Sequence, residues 1–427
     1  MGRVIVSNVN SLPGPGDIYR EVLPNGITVL SRSNFNSPSV VVTGFFEAGA
    51  LFDPDEKLGL AEYTSLSLMR GTKNRTFDEI YNALESVGAG LGFNTGVHKS
   101  GFHGRSLAED LPLLLELLCE ALTTPIFPKA EMEKLRAQLL TGLAIRAEDT
   151  SDMASMVFDN ILFKGHPYSR PEDGFPETIR QIKRGDLVKF HREHYGPRGM
   201  VIAIVGGVKP EDAVKQVKRA LGGWQNKHQK KTPALPSLKP LKRTVSKHHR
   251  IAGKSQSDLI IGTNGPMRRD PEFMSASIGN NILGQLGMMG RIGDVVREKS
   301  GLAYYAYSSL SAGLGPGSWE VGAGVNPQNV KKASELILDE LKRFIQEGVT
   351  ADELADTKAN FIGRLPLSLE SNGGVANALL NIERHQLGLD YYHRYQGLVE
   401  EVTADNVLTT ARKFIDPDKL VIASAGP

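Results

Sequence analysis

The sequence predicts an α+β protein of two homologous domains, each a mostly antiparallel sheet with helices packed on one face. Three observations lead there. The second half of the chain repeats the pattern of the first. A proline-containing basic break lies between the halves. Short β-branched runs precede pairs of amphipathic helices in each half.

The repeat is clearest where residues 182–206 are laid on 402–426, without a gap, at an offset of 220 residues. Each segment has a polar helix opening, Gly185-Asp186 in one and Asp405-Asn406 in the other. Each continues to a turn, Gly196-Pro197 or Asp416-Pro417, and ends in an apolar strand, Met200 to Gly206 or Leu420 to Gly426. Upstream, Leu111 to Leu122 and Val330 to Ile345 both show apolar residues at three- and four-residue spacing, the period of a half-buried helix. A second helix opens after each, at Pro128-Lys129-Ala130-Glu131 and at Thr350-Ala351-Asp352-Glu353, where Thr350 and Glu353 have the spacing of a capping box. Strands are expected at Thr28-Val29-Leu30 and Val40 to Thr43 in the first half and at Leu259-Ile260-Ile261 in the second. A period near half the chain means two related domains rather than a solenoid. The expected boundaries are 1–226 and 251–427, with 227–250 as linker. That linker holds Pro233, Pro236 and Pro240 and eight Lys/Arg, with no acid and no interleaved aromatics to stack bases, so it reads as a solvated connection rather than a polyanion site.

Composition narrows the function. Of 427 residues, 40% are hydrophobic and 23% charged, and the net charge is +2, so no global field points to nucleic acid or an acidic membrane. The one cysteine, Cys119, sits on an apolar helix face and excludes an internal disulfide framework. No apolar stretch suits a signal peptide or a membrane span, and Val6 stands where myristoylation after Gly2 requires Ser or Thr. The expectation is a cytoplasmic protein with neither nucleic acid nor membrane as partner.

One segment of the first half carries recognisable flanks without their chemistry. Gly59-Leu60-Ala61-Glu62-Tyr63-Thr64-Ser65-Leu66, followed by Gly71-Thr72, resembles the zinc-site helix of the pitrilysin-type, or inverted-zincin, peptidases. In that motif, H-x-x-E-H, two histidines four residues apart bind zinc from one helix face and a glutamate between them activates the metal-bound water. Here Glu62 replaces the first histidine, Ser65 the glutamate and Leu66 the second histidine. Counting on by the family's spacing, its third ligand falls on Gly142, ahead of a matching polar helix end, Arg146 to Asp149. Leucine and glycine have no side-chain donor for a metal, so no metal ligand is expected in this chain. The pair His191 and His194 shares a helix face, yet no third ligand is evident; His98 and His103 have no ligand spacing.

The second half keeps the other part of the family's pattern. Arg297-Glu298-Lys299-Ser300-Gly301-Leu302-Ala303-Tyr304 resembles the segment whose arginine and tyrosine face the zinc across the substrate cavity. The resemblance implies that Arg297 holds substrate and Tyr304 donates to the carbonyl oxygen as it becomes anionic, roles that a guanidinium fork and a phenol suit chemically. Without it, a solvated helix arginine and a sheet tyrosine explain both residues. The glycine-containing strand Gly92, Phe93, Asn94 and Thr95 is the candidate substrate-binding edge, where an extended peptide adds as a further strand. The resemblance runs from Leu23-Pro24-Asn25-Gly26 to Val421 and implies that the chain pairs with a homologous subunit carrying an intact H-x-x-E-H. The partner then brings zinc, and this chain, with no cofactor of its own, brings Arg297 and Tyr304 for peptide-bond hydrolysis. The alternatives are an inactive scaffold or peptide-binding protein of the same fold, and an enzyme using another site.

Overall fold

A computed structural model describes residues 12–427 and shows the repeated architecture, with one additional strand in the first sheet. The expectations about the extreme N-terminus fall on residues 1–11, outside the described residues. In the first sheet, β1 (Tyr19–Val22), β2 (Thr28–Ser33), β3 (Ser39–Phe46), β4 (Gly90–Thr95), β5 (Ser100–Leu107) and β6 (Val201–Gly206) lie in the order β1-β2-β6-β3-β5-β4. In the second, β7 (Val245–Arg250), β8 (Ser257–Gly265), β9 (Ala303–Leu310), β10 (Gly317–Val325) and β11 (Val421–Gly426) lie in the order β7-β11-β8-β10-β9. Leaving out β1, the two orders are the same. Each sheet has one parallel pair, β2 with β6 and β7 with β11, and is otherwise antiparallel.

Six residues assigned to the linker by sequence, Val245–Arg250, form β7. Their run, Val-Ser-Lys-His-His-Arg, shows no apolar alternation because an edge strand needs a partner on one side only, and β7 takes its register from β11. The Thr350 capping box is present: Thr350 N–H donates to Glu353 Oε2 at 2.8 Å and Glu353 N–H returns to Thr350 Oγ1 at 3.2 Å.

The compact units are not simple halves of the sequence. One comprises residues up to Leu143, Pro171–Ala234 and Leu365–Arg394; the other comprises Ala144–Arg170, Leu235–Arg364 and Tyr395–Pro427. The reason lies in the central strands. All six residues of β6, Val-Ile-Ala-Ile-Val-Gly, are buried. Ile202 and Ile204 join the main core with Leu114, Leu118 and Val217 of the helices Leu111–Thr123 and Pro210–Leu221. Val201, Ala203 and Val205 alternate to the opposite face, and there the helix Asn372–His385, from the second half of the sequence, lies along β6 and β3. Asn34 Nδ2 donates to Asn372 Oδ1 at 2.7 Å, Arg20 grips Glu383 through Nε at 3.0 Å and Nη2 at 2.8 Å, and the Arg384 guanidinium stands 4.9 Å from the Phe45 ring centre.

The second sheet repeats the arrangement in reverse. One face packs on Phe273–Gly284, Val330–Glu347 and Ala404–Phe414, with Trp319 edge-on to Phe344 at 6.5 Å. The other face, with Ile260, Val421 and Ala423, is covered by Ala154, Val157 and Phe158 of the helix Thr150–Leu162, from the first half. The hydroxyls of Thr150 and Tyr305 both donate to Asp258, which is 2% exposed. To the main helical layer on one face of each sheet, the structure therefore adds a single helix on the other.

If that added helix is part of the core, Leu379→Ala, at a side chain 0% exposed, destabilises the protein by about 2–5 kcal/mol in chemical denaturation. A loss below about 1 kcal/mol would show that the helix only rests on the sheet.

Candidate functional site

In the first unit the degenerate zinc motif forms the helix Leu60–Ser67. Asp53, 3% exposed, anchors its start by accepting the N–H of Gly59 at 3.0 Å and of Ala61 at 2.9 Å. Gly59, with φ of 89°, supplies a left-handed entry that a β-carbon would strain. Tyr63 Oη donates to the Met132 carbonyl at 2.6 Å, tying the motif to the helix Lys129–Glu148 that carries position 142. Burial pushes the Tyr63 phenol up to about 12.

Position by position, these side chains do not fit a catalytic zinc. Ser65 is fully buried, and its Oγ donates to the Asn94 carbonyl of β4 at 3.2 Å. Leu66 packs against the core. Gly142 is exposed, and a β-carbon there would meet nothing within 4 Å, so the space for a ligand persists without the ligand. Among the described residues, no three His, Cys, Asp or Glu side chains cluster as a metal ion requires.

His191 and His194 share the helix Arg184–His194 and do other work. His191 Nε2 lies 2.9 Å from the Leu122 carbonyl. His194 is sandwiched between Phe52, at 4.0 Å, and Phe190, at 4.5 Å, and burial lowers its pKa from 6.5 to about 4. His194 is a buried core histidine, and His191 is a half-buried one.

In the second unit, Arg297 is the last residue but one of a π-helical turn, Asp294–Glu298, and Tyr304 is the second residue of β9. The connection is short and closed: Gly301 N–H donates to the Arg297 carbonyl at 2.9 Å and Leu302 N–H to that of Val296 at 3.1 Å. Gly301 takes the positive φ of 60° that this reversal needs. A π turn widens the helix by one residue and is often found at functional positions. The Arg297 side chain is 36% exposed, with Nε 3.6 Å from Glu298. Tyr304 is 67% exposed, whereas Tyr305, next along the strand, is held by Asp258. β9 is an edge strand.

Gly92, Phe93, Asn94 and Thr95 lie on β4, the edge strand of the first sheet. Leu91 and Phe93 face the core; Gly90, Gly92 and Asn94 face the opposite way. On that open face a cavity of about 550 Å³ is bounded by Thr43, Gly90, His103, Arg105, Gly373 and Asn377, among others. Sequence reasoning considered His103 only as a metal ligand and passed over Arg105. The alternation along β5, with Phe102, Gly104 and Ser106 buried and His103 and Arg105 exposed, was the available signal.

The geometry defines a class: two repeated α+β domains, one with an inverted-zincin helix whose ligand and base positions are replaced and one with the Arg/Tyr turn. Residues 28–171 match Insulinase (Peptidase family M16), and residues 181–361 match the Peptidase M16 inactive domain. The chain belongs to the M16, or pitrilysin, peptidase family. It is 28% identical over 411 residues to an uncharacterised zinc protease of Streptomyces coelicolor, spanning 94% of this chain and 88% of that one. It is 26% identical over 266 residues to bovine cytochrome b-c1 complex subunit 1, spanning 61% of this chain and 54% of the relative. Among solved structures, a peptidase M16 inactive domain from Pseudomonas fluorescens superposes with a TM-score of 0.89 at 25% identity, over 96% of this chain and 98% of that one. A Helicobacter pylori protease shares the fold, with a TM-score of 0.90 at 19% identity over 97% and 100% of the two chains. Among the described residues, no helix is long and apolar enough to cross a membrane.

Two outcomes follow from the site. Metal analysis of protein purified without chelators should find no stoichiometric zinc, while the triple variant Glu62→His, Leu66→His, Gly142→Glu, which rebuilds three ligands on neighbouring helices, should bind about one per chain. One zinc in the wild-type protein would contradict the first expectation, and none in the folded variant the second. His194 generates a pH dependence. Its folded pKa lies below its unfolded one, so the stability tied to its neutral ring is complete above pH 6.5 and is lost as pH falls toward about 4. His194→Gln should flatten that limb in denaturation curves recorded across this window; an unchanged slope would show that the ring does not titrate there.

Proposed function

We propose that this chain is the non-zinc-binding subunit of a heteromeric zinc peptidase. In this reading it is inactive alone. A homologous subunit with an intact H-x-x-E-H holds the zinc, and Arg297 and Tyr304 serve that subunit's substrate. The observation that carries it is the contrast between the two motifs. Positions 62, 65, 66 and 142 no longer carry the family's residues, and Leu66 and Gly142 have no donor atom, while Arg297 and Tyr304 remain at the surface on a closed turn. A free phenol is a suitable donor to a developing oxyanion, and a guanidinium suits a peptide carbonyl or a terminal carboxylate. The β4 edge offers backbone groups to an extended peptide.

A second reading, a catalytically silent scaffold or peptide-binding protein, is favoured by the likeness to a subunit of the cytochrome b-c1 complex. The two separate in one assay: peptide cleavage by an H-x-x-E-H homologue with and without this chain, and by this chain alone. Activation supports the peptidase subunit; equal activity supports the scaffold.

Within an active complex, Tyr304→Phe should lower kcat about 100-fold with little change in KM, because the hydroxyl acts on charge that develops only in the transition state. Arg297→Ala should raise KM as well, since its partner is present in the ground state. Steady-state kinetics on complexes of verified assembly read both effects. Wild-type rates in both variants would make the two residues structural.

A further inference from the structure

On the open face of the first sheet, the cavity takes the Arg105 side chain into a lining that has no carboxylate. His103 and Arg105 project from β5, and the register sets them opposite Gly92 and Gly90 of β4. Those glycines decide what the two side chains reach. A β-carbon on Gly92 would stand 2.7 Å from His103 Cε1, so the imidazole lies across the edge strand where a side chain would otherwise be. A β-carbon on Gly90 would meet nothing within 4 Å, which leaves an open trough from Arg105 to the sheet edge. Among the described residues Arg105 makes no ion pair, whereas Arg20, Arg32 and Arg75 are each bound to an acid. Asn377 and Gly373 form the far wall, so the charge sits in a recess rather than on a convex surface.

A peptide adding to β4 continues the sheet. Its alternate side chains point to this face, in file with Gly92 and His103 or with Gly90 and Arg105. The added backbone lies two strand spacings from β5, about 9.6 Å. An arginine and a glutamate extended toward each other span that distance only where the strand between them has no side chain, as at Gly90.

We propose that this recess is a specificity subsite for an acidic side chain of an extended peptide, read by Arg105 with His103 beside it. The proposal rests on the reading that β4 accepts a peptide strand, and it names the substrate class: segments with Glu or Asp at the positions that turn to the open face. An arginine fork pairs with a carboxylate through two charge-assisted hydrogen bonds.

The test uses the full chain alone, so it depends on neither a partner nor catalysis. Two fluorescent twelve-residue β-prone peptides, identical except for Glu or Gln at alternate positions, are titrated with the protein and followed by anisotropy. The Glu peptide should bind about tenfold more tightly at low salt, the order expected of one charge-assisted pair. Arg105→Gln should bring its affinity down to that of the Gln peptide, which should itself bind the variant unchanged. Arg105→Lys should retain part of the preference. Equal binding of both peptides by the wild-type chain, or a preference that survives Arg105→Gln, overturns the subsite while leaving strand addition standing. Binding of neither peptide overturns the subsite and strand addition together. The peptidase-subunit reading is judged separately, by activation of an H-x-x-E-H homologue.

Discussion

Burial of the second face of each sheet is the constraint on which the rest of this chain depends. A central strand such as β6, apolar at every position, cannot be satisfied by helices on one side. Val201, Ala203 and Val205 in the first sheet, and Ile260, Val421 and Ala423 in the second, need cover at least as much as the residues facing the main cores. Full burial of one such side chain contributes about 1.5–3 kcal/mol, and a bare face would forfeit several of these at once. Each sheet takes its cover from a helix of the other sequence half, so neither half would bury all its apolar surface alone. The cavity on the open face of the first sheet has the same origin: the helix Asn372–His385 lies along β6 and β3, and its Gly373 and Asn377 become a wall beside β5 and β4.

The degenerate zinc helix has kept its place by exchanging chemistry for packing. In a metal site the helix is held partly by its ligands. Here Asp53 at its start, Tyr63 to Met132, Ser65 to Asn94 and Leu66 in the core replace that hold. Position 65 illustrates the change. A general base must reach water, whereas Ser65 is fully buried and spends its hydroxyl on a strand carbonyl. Position 142 shows the opposite outcome. Nothing has filled the space in front of Gly142, and the glycine there lowers helix propensity by about 1 kcal/mol relative to alanine.

The parts legible in the sequence were those written locally. The repeat is carried by strand runs and helix periods, so two homologous α+β domains followed from it. The Arg297–Tyr304 segment and the flanks of the lost zinc helix are contiguous and could be read directly. What sequence reasoning missed depends on long-range pairing. The crossing of Thr150–Leu162 and Asn372–His385 leaves no local sign, because an amphipathic helix does not state which sheet it covers. β7 was hidden because an edge strand with one valine ahead of Ser, Lys, His, His and Arg shows no apolar alternation. Arg105 gained meaning only once the register set it across from Gly90. Asp53 and Asp258, both buried acids, look in the sequence like ordinary surface carboxylates, and only their hydrogen-bond donors justify their burial.

The three tyrosines of β9 separate structural use from availability. Tyr305 and Tyr307 point to one face and stack at 5.8 Å; the Tyr305 hydroxyl is committed to Asp258, and burial pushes the Tyr307 phenol up. Tyr304 alternates to the other face, with Ala306 and Ser308. Those two are buried, and Ser308 Oγ donates to Asn280 at 2.6 Å. Tyr304 alone lies beyond that cover, at the strand's first turn, 67% exposed. A large aromatic side chain gains from burial, so leaving it in solvent forgoes stabilisation of about the size that burying a core side chain provides. Its neighbours show that the strand has means of engaging such a ring. Tyr304 follows directly on the closed turn at Gly301, whose backbone bonds to Arg297 and Val296 fix where the strand begins. The same geometry that makes Tyr304 a poor contributor to the core makes it available to a ligand.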